Sequence, residues 1–229
     1  YVGNSGTWNV GPGKLFGSTG TYESWGNSRS RNAYLHDVLF DGNDRMHVTW
    51  VYRETAQTYA SNHDLHYAYS DDFGVTWMNN DGLQIADLSR NDPILLTDPG
   101  IVVYKIPVYA WLMNQCAMAI DSNNQPHVAT YHLPEVHKPK AITHGPEGAV
   151  RKKQRFYHYY RIPSGAWKRN GPLEMPEGLS VGRPGLVIDE EDNIVIYWAS
   201  KKGFLAYFAC EDDLWRTWRI IPMTGPEFT

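Results

Sequence analysis

Two groups of side chains in this sequence have the chemistry of a binding or catalytic site. The first combines aromatic, amide and cationic side chains, which could hold a sugar ring and its anionic substituents: Tyr34, Tyr52, Arg53, Asn114, Gln115, His132, Arg183 and Lys201. In the second, one thiolate and two imidazoles could begin a tetrahedral zinc site: Cys116, His127 and His158. Neither group has the short, fixed spacing of a local motif, so the fold must bring its members together.

Three stretches of the chain align on a single aspartate. Asp41, Asp121 and Asp189 each follow an apolar segment and open a polar turn, with the sequences DGNDR, DSNNQ and DEEDN. A second segment, rich in β-branched and aromatic residues, follows each turn, which is the pattern of a tight β-hairpin. The repeat predicts three equivalent hairpins anchored at these aspartates.

Another aromatic strand follows each hairpin, and the first of them leads into the sequence SDDFGVTW, residues 70–77. Its Gly, with Ser, Asp and Thr around it, predicts a tight loop of the Asp-box type, closed by side-chain hydrogen bonds to local backbone. No segment has the period of an amphipathic helix. An all-β unit used three times predicts a β-propeller, of which this chain supplies three to four blades.

The repeat also predicts where the first group of side chains lies. In an antiparallel hairpin, the start of the first strand and the end of the second lie at the same end, and the first strands of a propeller line its central channel. Side chains about seven residues before each anchor, and eleven or twelve after it, should therefore surround one opening. These positions hold the first group named above, together with Ser200.

The same residues have structural interpretations. Arg53 could form a surface ion pair with the adjacent Glu54, worth ~0–1 kcal/mol, and Tyr34 could pack against a neighbouring blade. Asn114 and Gln115 could cap turns or bond neighbouring backbone. These interpretations stay open at the level of sequence.

The zinc hypothesis has a similar alternative. Cys116 and Cys210 both lie in predicted strands, where a buried free thiol is the commonest state, so they do not fix the redox compartment. His127 and His158 also lie in predicted strands and could be hydrogen-bonded core histidines.

Composition restricts the class of protein. A length of 229 residues, with 42% hydrophobic and 20% charged, is typical of a folded domain. The net charge of −4 gives no general attraction to nucleic acid or to an anionic membrane, and no apolar run approaches the ~20 residues that cross a bilayer. Because the chain opens at Tyr1 without a leader-like segment, we expect a processed or partial chain, with residues 1–229 forming a propeller domain or its C-terminal half.

Several segments together resemble a known family. DRMHVTWVYRE, SNHDLHYAYSDDFGVTW, NQCAMAIDSNNQPHVATYH and YHYYRIPSGAW resemble the later blades of the BNR-4 group of propeller proteins. Within that group the chain is most similar to propeller-type ulvan lyases, polysaccharide lyases that act on a sulfated, uronate-containing polymer. The resemblance implies a seven-bladed propeller with a substrate canyon, in a secreted or periplasmic protein whose missing blades come from the same or another chain.

The resemblance also implies roles for particular residues. Arg53 would neutralise the uronate carboxylate during β-elimination, and Tyr34 would act as the acid–base tyrosine, with Tyr52 or His36 as alternatives. The family's pair of catalytic histidines would come from an earlier blade. No cofactor is implied for catalysis, so zinc would be structural.

Two other functions fit the same residues. A sialidase-like glycoside hydrolase would use arginines to hold a substrate carboxylate and a tyrosine as nucleophile. A propeller can also bind carbohydrate without catalysis, because fold does not fix function. For each of the three, the basic segment HKPKAITHGPEGAVRKKQR could attract an anionic polysaccharide.

Overall fold

The computed structural model describes residues 13–56, 58–134, 152–200 and 203–222, and these residues form the all-β fold that the sequence predicts. Their strands are grouped into three antiparallel sheets. Helical structure in these ranges is limited to short 3-10 turns: Glu23–Trp25, Tyr59–Ser61, Leu88–Arg90 and Glu211–Asp213. Within the same ranges no helix has both the length and the apolar character needed to cross a membrane.

The first sheet has six strands, five of which pair in chain order. They are β1 (Asn32–Phe40), β2 (Met46–Arg53), β3 (Asn62–Ser70), β4 (Thr76–Met78), β5 (Gln84–Asp87) and β6 (Val102–Tyr104). β4 pairs with the end of β3, whereas β6 pairs with its middle, at Leu65 and His66.

The second and third sheets have four strands each and are also paired in chain order. The second holds β7 (Ala117–Ile120), β8 (Pro126–His132), β9 (Arg155–Arg161) and β10 (Trp167–Asn170). The third holds β11 (Pro184–Ile188), β12 (Ile194–Ser200), β13 (Gly203–Ala209) and β14 (Arg219–Pro222).

The first two strands of each sheet form a hairpin whose turn opens at Asp41, Asp121 or Asp189. In all three turns the N–H of the aspartate donates to the carbonyl four residues later at 3.0 Å. The residue three positions after the aspartate is left-handed, with φ between 59° and 61°: Asp44, Asn124 and Asp192. The short polar side chains of Asn and Asp tolerate this conformation, which explains the turn sequences.

The sheets pack face to face through alternating strand residues. β1 lies against β7, and β7 lies against β11, so the first strands of the three sheets are neighbours. In β8, Val128 packs in the cluster shared with the first sheet, whereas Ala129 packs in the cluster shared with the third. Successive side chains of a strand point to opposite faces. The second sheet therefore buries both faces. We expect any of its side chains that contact a ligand to lie at the ends of its strands.

Candidate functional site

The clearest candidate site lies at the open end of the first hairpin, opposite the Asp41 turn. Arg53 is the last residue of β2 and pairs with Asn32, at the start of β1. Its guanidinium carbon lies 4.7 Å from the ring centroid of Tyr34, and its Nη1 donates to the Tyr34 hydroxyl at 3.3 Å. A fixed cation and a phenol are thus in direct contact, as the sequence predicts from their offsets.

Arg53 does not form an ion pair with the adjacent Glu54. Glu54 instead bonds Arg31 on the other face of the strand, with Nε to Oε1 at 3.0 Å and Nη2 to Oε2 at 3.2 Å. In the described ranges no carboxylate lies within ion-pair distance of Arg53. The positive charge of this half-buried side chain therefore stays available to a ligand.

Asn62, the first residue of β3, fixes the orientation of Arg53. Its Oδ1 accepts from Arg53 Nε at 2.8 Å, while its Nδ2 donates to the carbonyl of Leu112 at 2.7 Å. Asn62 is fully buried. Because both ends of the amide are bonded, Asn62 is fixed, and together with the Tyr34 hydroxyl it orients the guanidinium before any ligand arrives.

Two residues from the other sheets lie at the corresponding ends of their first strands. Gln115 precedes β7, Arg183 precedes β11, and Arg183 Nη1 donates to Gln115 Oε1 at 3.3 Å. Both side chains are exposed, whereas Asn114 is buried. The structure therefore places Gln115 and Arg183 together on the surface near the start of neighbouring first strands.

Tyr52 and His132 do not lie on that surface, which corrects their placement as surface binding residues. Tyr52 is fully buried, and its ring meets the His66 ring at 4.7 Å. His132 is 2% exposed, stacks on Tyr157 at 3.9 Å and bonds the Tyr159 hydroxyl at 2.8 Å. Both residues are the eleventh after their anchor, and the pleat directs that position into the core.

The predicted zinc set is divided between the two faces of the second sheet, which corrects that prediction. His127 Nδ1 lies 2.9 Å from His158 Nε2, on the face toward the third sheet. Cys116 Sγ instead bonds Thr130 Oγ1 at 3.1 Å, and Thr130 is three residues from His127 in the same strand. An odd spacing in a strand puts side chains on opposite faces. The histidines are therefore core residues, bonded to each other and, through His127 Nε2, to Asp121 at 3.2 Å.

Two predicted features fall outside the residues that the structure describes. One is Lys201, and the other is most of the basic segment within 137–155. The contact of Tyr34 with Arg53 and the contact of Gln115 with Arg183 do not depend on them.

A buried polar network behind Arg53 was not predicted from the sequence. His63 Nε2 lies 3.2 Å from Glu54 Oε1, and its Nδ1 lies 2.9 Å from Asp64 Oδ2. Tyr22 stacks on the His63 ring at a centroid distance of 3.7 Å. The available signal is the sequence HDLH, because Asp is rare inside strands; it marks an irregular strand rather than a surface site.

The environment sets the charge state of this network. Burial works to lower the pKa of His63, but its hydrogen bonds to Asp64 and Glu54 outweigh burial and raise it. Burial lowers the pKa of His66 to about 3, so this imidazole is neutral. Burial, with the nearby Asp64 charge, raises the pKa of Tyr22 to about 12, so the phenol keeps its proton.

Solved structures similar to this chain include two polysaccharide lyases. The polysaccharide lyase Uly1 is 14% identical with a TM-score of 0.50, and the alignment covers 86% of this chain and 38% of the lyase. A PL25 ulvan lyase bound to -[GlcA(1-4)Rha3S]- is 16% identical with a TM-score of 0.51, covering 83% of this chain and 39% of the lyase. This chain therefore spans about two fifths of their length, and the likeness at this identity is one of fold.

The sequence itself identifies the family. No curated protein sequence matches the chain. The model of the BNR repeat-containing family, BNR_4, matches residues 2–174, which is most of the chain and includes the first two hairpins. The chain therefore belongs to the BNR repeat-containing family.

Proposed function

We propose that this chain is part of a polysaccharide lyase that cleaves a uronate-containing, sulfated glycan by β-elimination. The observation that carries the proposal is the contact between Arg53 and Tyr34, with a guanidinium held by Asn62 and free of any carboxylate in the described residues. The fold shared with two polysaccharide lyases supports the same reaction class.

The reaction needs a positive charge beside the substrate carboxylate, and Arg53 would provide it. A base takes the proton at C5 of the uronate, the electron pair forms the C4–C5 double bond, and the glycosidic oxygen leaves C4 with a proton from an acid. Negative charge accumulates on the carboxylate beside C5. A planar guanidinium that bonds this carboxylate through two N–H groups stabilises that charge.

Tyr34 would exchange the second proton. Its hydroxyl accepts from Arg53, so the guanidinium stabilises a phenolate formed when the phenol gives its proton to the leaving oxygen. Gln115 and Arg183 would bind neighbouring sugars or sulfate groups along the same surface. The base at C5 would come from blades beyond this chain, which spans only 38–39% of the similar lyases.

The proposal extends to the setting of the protein. A polymer of this kind lies outside the cell, so a lyase acting on it would be secreted or periplasmic. Further blades from the same or another chain would complete the ring. This chain would supply the arginine and the tyrosine.

The proposal is tested with Arg53→Lys, assayed on a uronate polymer with this chain alone and with the complete propeller. Lysine keeps the charge but loses the planar pair of donors, so elimination should fall roughly 10²–10³-fold. The readout is ultraviolet absorbance of the unsaturated uronate. Arg45→Lys is the matched control, because Arg45 lies at the other end of β2, bonded to Asp71.

Three results would contradict the proposal. Arg53→Lys with normal elimination would remove Arg53 from the reaction. Release of sugar without new absorbance would favour the sialidase-like hydrolase. Polysaccharide binding with neither product would favour the non-catalytic propeller.

A further inference from the structure

One other cluster of the first sheet has the side chains of a metal site. His63, Asp64 and His66 lie near the start of β3 and each offers one ligand atom. These atoms all lie within 4.8 Å of one another, and no other three His, Cys, Asp or Glu residues in the described ranges meet the same condition.

A bulge in β3 is what brings the two histidines to one side. His63 pairs with Tyr52 and His66 pairs with Trp50, so two residues of β3 lie opposite Val51 alone. Asp64 has a left-handed φ of 51° at this point. Histidines three apart in a regular strand face opposite ways, and one extra residue restores a common side.

His66 is buried without the partners that an imidazole requires. It is fully buried between the rings of Trp50 and Tyr52, and although the backbone of Trp50 and Asp64 lies near its ring, neither of its nitrogens makes a hydrogen bond of good geometry. Buried polar atoms are nearly always bonded, so an orphaned pair of ring nitrogens requires an explanation such as an ion. An ion bound by His63, Asp64 and His66 would provide a partner for one of the two ring nitrogens of His66.

The other two ligands are already oriented. His63 uses Nε2 for Glu54, which leaves Nδ1 facing Asp64 Oδ2 at 2.9 Å. The other oxygen of Asp64 accepts from the Ile106 N–H at 2.9 Å. A histidine whose second nitrogen donates to a carboxylate, and a carboxylate fixed through its second oxygen, are the usual supports of metal ligands.

We propose that His63, Asp64 and His66 bind a divalent transition metal ion, and zinc fits best. Two imidazoles and one carboxylate suit zinc, whereas calcium and magnesium prefer sites made of oxygens alone. Three protein ligands leave a fourth position for water. Tetrahedral zinc holds its ligand atoms ~3.4 Å apart, so modest side-chain rotations would bring the three atoms to that separation.

The site would stabilise the end of the sheet that carries Arg53. Asn62, which holds the guanidinium, immediately precedes His63 in β3. A metal ion there would fix the start of the strand whether or not the chain is a lyase. The competing occupant of the site is a proton on His63 Nδ1, in an ion pair with Asp64.

The test is the metal content of the chain after loading with zinc and removal of the excess. We expect about one equivalent, and Co²⁺ in its place should give the visible bands of a tetrahedral ion. His66→Phe removes one ligand, and Asp64→Asn removes the charge while keeping a residue that tolerates the left-handed φ. Each should weaken binding roughly 10–100-fold or more.

His158→Phe is the matched control, because it removes a buried histidine of the second sheet that lies outside the cluster. It should leave the zinc content unchanged. Zinc should also raise the melting temperature of the unmodified chain but not that of Asp64→Asn. This comparison tests zinc binding even if His66→Phe does not fold. Absence of zinc from the loaded chain, or zinc retained by both ligand variants, would overturn the proposal.

Discussion

The first and second sheets begin with the same hairpin and then diverge in their third strand. In the first, Asp41 bonds His47, which bonds the Tyr67 hydroxyl. In the second, the same positions hold Asp121, His127 and His158, with contacts of 3.2 and 2.9 Å. At the anchor end, therefore, the two sheets build the same relay of a carboxylate, a histidine and a third polar side chain.

The opposite ends of the two sheets differ by one residue. In the second sheet the Thr130–Tyr157 and His132–Arg155 pairs enclose a single residue of β9, Phe156. In the first sheet the matching pairs enclose two residues of β3, one of which is Asp64. The extra residue in the first sheet accompanies a buried charged network of His63, Asp64 and Glu54.

This difference distinguishes residues that close the hairpins from residues that could bind a ligand. The backbone turn at the anchor end is common to the three sheets because it closes the hairpin, whereas the aspartate–histidine contact is present at Asp41 and Asp121. The open end of the first sheet has a bulge, a buried ion pair and a guanidinium free of carboxylates in the described residues, which the hairpin alone does not need. Bulges are common next to active sites because they redirect side chains.

The largest expected effect comes from breaking the buried charge of the first sheet. Arg31 and Glu54 have side chains that are 1% and 0% exposed. Glu54→Gln keeps the shape but leaves the arginine buried without its partner, so the free energy of unfolding should fall by ~3–5 kcal/mol. Denaturant unfolding of the chain measures this.

The control for that change is an ion pair that stays in solvent. Arg45 and Asp71 have side chains that are 36% and 54% exposed, so Asp71→Asn should cost ~0–1 kcal/mol. Equal losses in Glu54→Gln and Asp71→Asn would mean that burial does not determine how much an ion pair of this sheet contributes to stability.

A smaller and shared effect is expected at the anchors. The side chains of Asp41 and Asp121 are 4% and 5% exposed, and each accepts from local backbone and from a histidine. Asp41→Ala and Asp121→Ala should therefore each lower the free energy of unfolding by ~2–3 kcal/mol. Asp189 is exposed and bonds Asn193 instead, so Asp189→Ala should cost less. Unequal losses at Asp41 and Asp121 would contradict the equivalence of the two hairpins.

The sequence is sufficient to predict the shared parts of the molecule. The all-β fold is confirmed, because hairpin turns depend on local residues such as Asp and Asn, which the sequence displays directly. The contact between Tyr34 and Arg53 also follows from strand offsets, since both lie at the open end of one hairpin.

The remaining features depend on which face of a strand each residue occupies. Tyr52 and His132 are buried because position eleven falls on the inner face, and Cys116 lies on the opposite face from His127. The metal cluster needs the bulge at Asp64, and a strict period of two would separate His63 from His66. A one-residue irregularity leaves only a weak local signal in sequence.

The smallest expected effect concerns the loops that follow β3 and β9. In the first sheet the loop is closed by side chains: Ser70 Oγ accepts from the Gly74 N–H and donates to Asp72, both at 2.8 Å. In the second sheet the Ile162 N–H bonds the Ala166 carbonyl at 2.9 Å, and Asn80 of the first sheet donates to the Gly165 carbonyl at 2.9 Å.

Because the loop of the second sheet is closed by backbone hydrogen bonds without a serine at the position of Ser70, we expect this serine to stabilise the first loop only modestly. Ser70→Ala removes the acceptor of two part-buried N–H groups, those of Asp72 and Gly74, and should lower the free energy of unfolding by ~1 kcal/mol. Thr76→Ser, which keeps a hydroxyl for Asp72, is the control and should cost less. A loss above ~3 kcal/mol in Ser70→Ala would show that the first sheet depends on this loop in a way that the second does not. The difference between the two sheets would then extend to both ends of the third strand.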